Sequence, residues 1–166
     1  MRTRVALTTA VLSLLILLLV PSPAAADITG FLGVTTTPTN RPSKGFAIGT
    51  GLLIVGLEFE YASTNEDVIE QAPSLHTFMF NGLLQTPVPI AGMQLYGTAG
   101  GGIYRETLST AINPTETNFG VNVGGGAKIS LLGPLRLRVD YRVFTLKGSP
   151  RHANVQRLYA GVNLKF

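Results

Sequence analysis

The chain has 166 residues, 45% of them apolar and only 13% charged, with 19 Gly, 10 Pro, no Cys and no Trp. A charged share near half the usual ~25% excludes a disordered chain or a long solvated helix, and the lack of Cys excludes disulfides, thiolate zinc sites and cysteine nucleophiles. The formal charge of +4 includes Arg2 and Arg4 and comes without any basic run, so no nucleic-acid partner is expected.

The first predicted element is an address. Arg2 and Arg4 are followed by no charge until Asp27, and Leu14 to Val20 form the apolar centre of the stretch between. Pro21 and Pro23 break a helix there, and Ala24, Ala25 and Ala26 supply the small residues of a cleavage site. Charged start, apolar middle and small-residue exit predict a cleavable signal peptide over residues 1–26. A retained anchor fits less well, because the apolar run is shorter than a ~20-residue span and ends in prolines. Export without Cys points to a bacterial envelope and to one domain over residues 27–166.

Beyond the signal the apolar period is two, the period of a strand with two unlike faces. The weakest run opens the domain, with Ile28, Leu32 and Val34 against Thr29 and Thr35. Phe46, Ile48 and Leu52 then oppose Ala47, Gly49 and Gly51, and Val55, Leu57, Phe59 and Tyr61 oppose Glu58 and Glu60. Phe78, Phe80 and Leu84 face away from Thr77, Asn81 and Gln85, with Met79 and Leu83 blurring the pattern. Met93, Leu95, Ala99 and Ile103 alternate with Gln94, Tyr96, Thr98 and Tyr104. Phe119, Val121, Val123, Ala127 and Ile129 alternate with Asn118, Gly120, Asn122, Gly124, Gly126 and Lys128. The clearest run sets Leu135, Leu137, Val139, Tyr141 and Val143 against Arg136, Arg138, Asp140 and Arg142. The last sets Leu158, Ala160, Val162, Leu164 and Phe166 against Arg157, Tyr159, Gly161, Asn163 and Lys165. Eight strands are predicted.

The links alternate in kind. Thr36 to Lys44, Ser63 to Pro73, Thr107 to Thr115 and Lys147 to Ala153 are long and polar. Those around Gly51 to Leu53, Pro87 to Gly92 and Leu131 to Pro134 are tight. Long loops at one end and short turns at the other are the asymmetry of an outer-membrane barrel. The hairpin of the second and third strands is expected to be short. With four to six apolar residues per strand on one face, many of them large, an eight-stranded interior has no room for that face, whereas a lipid-facing band ~25 Å tall uses it all. The expected fold is therefore all-β, an eight-stranded antiparallel up-and-down transmembrane β-barrel with the charged face inward.

The last strand ends in Tyr159, Gly161, Leu164 and Phe166, a polar–x–Gly–x–x–apolar–x–aromatic pattern like the C-terminal assembly signal of outer-membrane barrels. With Tyr96 to Gly102, Asn118 to Gly126 and Val139 to Arg142, it makes residues 96–166 resemble the small outer-membrane β-barrel superfamily of the OmpA, OmpX and OmpW type. That resemblance implies a bacterial outer-membrane location, contact with outer-membrane lipids, delivery by the barrel-assembly machinery and a monomeric barrel, with no peptidoglycan-binding domain following. It leaves open structural, adhesive, narrow-pore and, rarely, lipid-modifying roles.

The candidate chemistry is ionic rather than catalytic. Glu58, Glu60, Lys128, Arg136, Arg138, Asp140, Arg142 and Arg157 are expected to form an ion-pair network in the lumen, because an unpaired buried charge is expensive. His76 and His152 lack both a thiolate partner and the His-x-Ser pair of barrel lipid-A deacylases, so no metal, cofactor or catalytic residue is expected. The glycine runs at 100–102 and 124–126 lack the Lys-Ser/Thr of a phosphate loop and are read as sites of barrel curvature. A structural or surface-interaction role follows, with a narrow passive channel as the alternative. A lipid-modifying enzyme and a soluble periplasmic carrier are less favoured.

Overall fold

A computed structural model of the chain describes residues 25–109 and 115–166. Period-two patterning with bulky residues on one face yields eight antiparallel strands: β1 (Ala25–Thr35), β2 (Arg41–Leu52), β3 (Val55–Thr64), β4 (Ser74–Gln85), β5 (Met93–Thr107), β6 (Thr115–Leu132), β7 (Leu135–Leu146) and β8 (Asn154–Lys165). Each pairs with its neighbours in chain order, and β8 returns to β1, so the sheet closes without an edge. Closure is what a lipid environment demands of a sheet, since every backbone amide must find a partner. Of the expected signal peptide, residues 1–24 lie outside the described residues. Ala25 and Ala26 open β1, the latter exchanging backbone hydrogen bonds with Phe166.

The links keep the expected asymmetry. Strands are joined at one end by residues 53–54, 86–92 and 133–134, and at the other by residues 36–40, 65–73, 108–114 and 147–153. One expectation is corrected here. The segment Arg41 to Lys44, assigned to the first long loop, is the start of β2 and pairs with Leu32 to Thr35. The β2–β3 hairpin is thus full-length, with strands of 12 and 10 residues rather than a short pair. Alternation faded there because the outward residues are Pro42 and Lys44, which stand at the loop end of the wall, where no apolar side chain is required.

The orientation of the wall is decided by exposure. Val139 is 38% exposed and Val162 55%, whereas Arg138 is fully buried. Ile28, Leu32, Ile48, Leu57, Phe80 and Val123 likewise stand on the outer surface, a contiguous apolar belt far larger than a soluble monomer shows. Glycines let the narrow interior close around its contents. A Cβ on Gly126 would lie 2.2 Å from the Val139 carbonyl oxygen and 2.6 Å from Tyr96 Oη. One on Gly161 would lie 2.7 Å from Phe31 Cβ, beneath the Phe31–Tyr159 ring stack.

The lumen is not polar throughout. Leu75, Met79, Tyr104, Phe144, Leu146 and Val155 form a buried apolar cluster toward the long-loop end, and Phe31 and Ala62 pack with Tyr159 lower down. Met79 and Leu83, which blur the alternation of β4, point inward. An apolar side chain fills a lumen as well as it faces lipid, so hydrophobicity alone does not separate the two sides.

Candidate functional site

Strand alternation delivers the charged face to the axis, and register then sets who meets whom. Glu58 and Glu60 come from β3, Arg138, Asp140 and Arg142 from β7, and Arg157 from β8, all at most 1% exposed. Arg138 Nη1 donates to Glu58 Oε2, its Nη2 to Asp140 Oδ2 at 3.0 Å, and its Nε to Tyr96 Oη at 2.7 Å. Arg142 reaches Glu58 Oε1 at 2.7 Å, Asp140 Oδ1 at 2.9 Å and Glu60 Oε2 at 3.2 Å. Arg157 Nη1 closes the layer on Glu60 Oε1 at 3.3 Å, and Tyr159 Oη donates to Glu60 Oε2 at 3.1 Å. Three bases face three acids. Such a layer holds only when each charge has its partners, because desolvation is otherwise unpaid.

Lys128 and Arg136 belong to a second group nearer the short-turn end. Both donate toward Asp27 Oδ2, Arg136 Nη2 from 3.5 Å, while Arg136 Nη1 donates to Gln94 Oε1 at 3.1 Å. The eight charged residues singled out from sequence therefore lie in two layers rather than one. Asp27 escaped notice because it adjoins the expected cleavage point, although it is in phase with inward Thr29 and Phe31. The tyrosine hydroxyls of Tyr96 and Tyr159 were legible as inward groups but not as members of the ionic layer.

At the long-loop end Arg41, only 3% exposed, ties three segments together. It donates to the backbone oxygens of Thr37 at 2.8 Å, Asn65 at 3.3 Å and Pro73. Ser109 Oγ donates to Glu66 Oε2 at 2.8 Å, and the amides of Ser149 and Arg151 donate to Glu116 and Glu106. The signal for Arg41 was its phase with inward Ser43 and Ala47, which the loop assignment hid.

The histidines do not meet. His76 stands on the outer wall with Nδ1 3.0 Å from Tyr61 Oη and its ring stacked against the Tyr61 ring. His152 lies in the loop 147–153, where partial burial, aided by the charges of Arg41 and Arg151, holds its imidazole below the usual 6.5. Among the described residues neither is hydrogen-bonded to a serine or threonine hydroxyl, and no three metal-ligating side chains gather. Of the terminal pattern, Tyr159 and Gly161 face inward, while Leu164 and Phe166 are exposed at 44% and 66%.

Residues 12–166 match a family model described as an outer membrane protein beta-barrel domain. No curated protein matches the chain in sequence comparison. Among solved structures, the N-terminal β-barrel domain of Pseudomonas aeruginosa OprF is similar at TM-score 0.67 and 17% identity, covering 86% of this chain and 97% of that one. Neisserial surface protein A is similar at TM-score 0.69 and 15% identity, covering 87% and 98%. The outer membrane enzyme PagL follows at TM-score 0.54 and 10% identity, covering 83% and 98%. At such identities these likenesses speak for the fold.

Proposed function

This chain belongs to the outer membrane protein beta-barrel domain family, and from that premise we propose that it is a closed structural barrel of the bacterial outer membrane whose loop surface makes contacts outside the cell. The observation that carries this reading is the neutral ionic layer across the lumen, in which Arg138, Arg142 and Arg157 are locked to Glu58, Glu60 and Asp140. A hydrated ion passing that layer would have to part several buried pairs at once, and parting one costs ~3–5 kcal/mol. Planar-bilayer recording on the refolded protein tests this. Only a noise-level baseline is expected, and steady uniform openings would replace the closed barrel by the narrow channel.

The outward side of the proposal rests on the tied loops. Arg41 and Glu66 tie together the loops that follow β1, β3 and β5, which suits recognition better than mobile tips do. A surface protein such as the Neisserial one has the same barrel. PagL shows that the fold also hosts enzymes, but an acyl-transfer or hydrolytic site needs nucleophile and base within hydrogen-bond reach, and His76 faces a tyrosine hydroxyl instead. The protein is read as a non-enzyme.

The barrel reaches its place by export on residues 1–26 and insertion by the barrel-assembly machinery, and it stands in outer-membrane lipid as a monomer. Tyr159, Gly161, Leu164 and Phe166 serve as the assembly signal. Gly161 has a packing duty as well, beneath Phe31, so the discriminating change is loss of the exposed Phe166. Deleting Phe166 is expected to lower the amount of folded barrel in the outer membrane while leaving refolding in detergent intact. Normal membrane levels of the deletion would discredit the signal.

A further inference from the structure

The ionic layer at the centre of the lumen is neutral, but the short-turn end is not. There Lys128, Arg136 and Lys165 line a recess of about 250 Å³ together with Asp27, Gln85 and Gln94. Asp27 is the cross-strand partner of Lys165 and also takes the charges of Lys128 and Arg136 on one carboxylate oxygen. Three bases thus line the recess with one uncommitted acid, which two of them contact. The turns at 53–54, 86–92 and 133–134 carry no charged residue to correct the balance. Glu58 closes the recess above, but it is committed to Arg138 and Arg142.

A second feature points the same way. Arg136 is 9% exposed, and while its Nη1 and Nη2 are engaged, its buried Nε has no hydrogen-bond partner among the described residues. A buried guanidinium whose donors are not all met is under-compensated by its protein partners, and an anion in the recess that Arg136 lines would offset its charge. The recess opens at the end where a barrel of this family has its short turns, the periplasmic side. It is blind at the other end, where the neutral layer begins.

We infer that this recess is a binding site for a phosphate group, entered from the periplasm and held by Arg136, Lys128 and Lys165. The excess of two positive charges matches a phosphate dianion, whereas one carboxylate would leave half of it unmet. The volume admits the group with a few waters, each of which takes about 30 Å³. The group could belong to free inorganic phosphate or to the phosphate monoester end of a larger solute, since both present the same oxygens.

Titration calorimetry on the full barrel, refolded in detergent without phosphate at low salt and about pH 8, tests the site. Saturable one-to-one binding of inorganic phosphate is expected, with acetate at least tenfold weaker. Arg136→Gln and Lys165→Gln should each weaken it at least tenfold, and Asp27→Asn, which removes the competing acid, should tighten it. Glycerol phosphate forms the second arm. Inorganic phosphate binding at least as tightly as the ester assigns the site to the free anion, and tighter binding of the ester assigns it to a phosphorylated solute. Lys165 is exposed, so Lys165→Gln keeps the barrel folded, as heat-shifted gel migration would verify, even if Arg136→Gln does not. Absence of saturable binding by both probes, or affinity unmoved by Lys165→Gln, would overturn the assignment.

Discussion

Glu58→Gln is expected to lower the unfolding free energy of the barrel by about 3–5 kcal/mol, the cost of removing one partner from a buried ion pair. Glu58 is 1% exposed and serves two guanidiniums, Arg138 through both oxygens and Arg142 through Oε1. A neutral amide keeps the volume but leaves three cations facing two acids in a layer without access to water. The loss is expected because Asp140 and Glu60 are already shared among Arg138, Arg142 and Arg157 and have little capacity to spare. Urea unfolding in lipid vesicles, followed by far-UV circular dichroism because the chain has no Trp, measures it. Glu70→Gln, on the exposed part of the second long loop, provides the control and should change stability by less than about 0.5 kcal/mol. The double change Glu58→Gln with Arg138→Met should recover part of the loss, because it restores the match of two bases to two acids in the layer. Equal effects of Glu58→Gln and Glu70→Gln would mean that water reaches the layer and that the lumen is not sealed there.

Val139→Arg is expected to cost about 2–4 kcal/mol, the range for a basic residue on the lipid face near the bilayer midplane. Val139 lies near the middle of β7, pairs with Ala127 and Ala160 and is 38% exposed on the outer wall. The same arginine at Asn154, exposed at the long-loop end of β8, should cost about 0–1 kcal/mol, because the headgroup region solvates it. Val139→Leu should be nearly neutral, which separates a charge effect from a shape effect. The experiment is again urea unfolding in vesicles. If Val139→Arg and Asn154→Arg came out alike, the wall around Val139 would be in water and the inside-out arrangement of this chain would have to be given up.

Glu58 points inward from β3 and Val139 outward from β7, the two directions that alternation separates. In β7 the run Arg136, Arg138, Asp140, Arg142 and the run Leu135, Leu137, Val139, Tyr141 are separated by strict alternation, because every second residue faces a different solvent. In β4 the alternation is blurred at Met79 and Leu83, since both sides of a small barrel accept apolar groups. In β2 it fades at Arg41 to Lys44, since above the lipid the outward face stops being apolar while the backbone pairing continues. Alternation reports the solvent on each side of the wall, and it goes silent where the two solvents are alike.

The ionic site divides in the same manner. That Glu58, Glu60, Lys128, Arg136, Arg138, Asp140, Arg142 and Arg157 point to the axis follows from their phase within each strand, a local property. That Arg138 meets Glu58 across 80 positions of sequence, while Lys128 and Arg136 instead converge on Asp27, follows from register and barrel closure. Phase is set by neighbours two residues away and survives any arrangement of the strands. Pairing across a lumen depends on the stagger accumulated around all eight strands, a quantity that exists only once the sheet has closed.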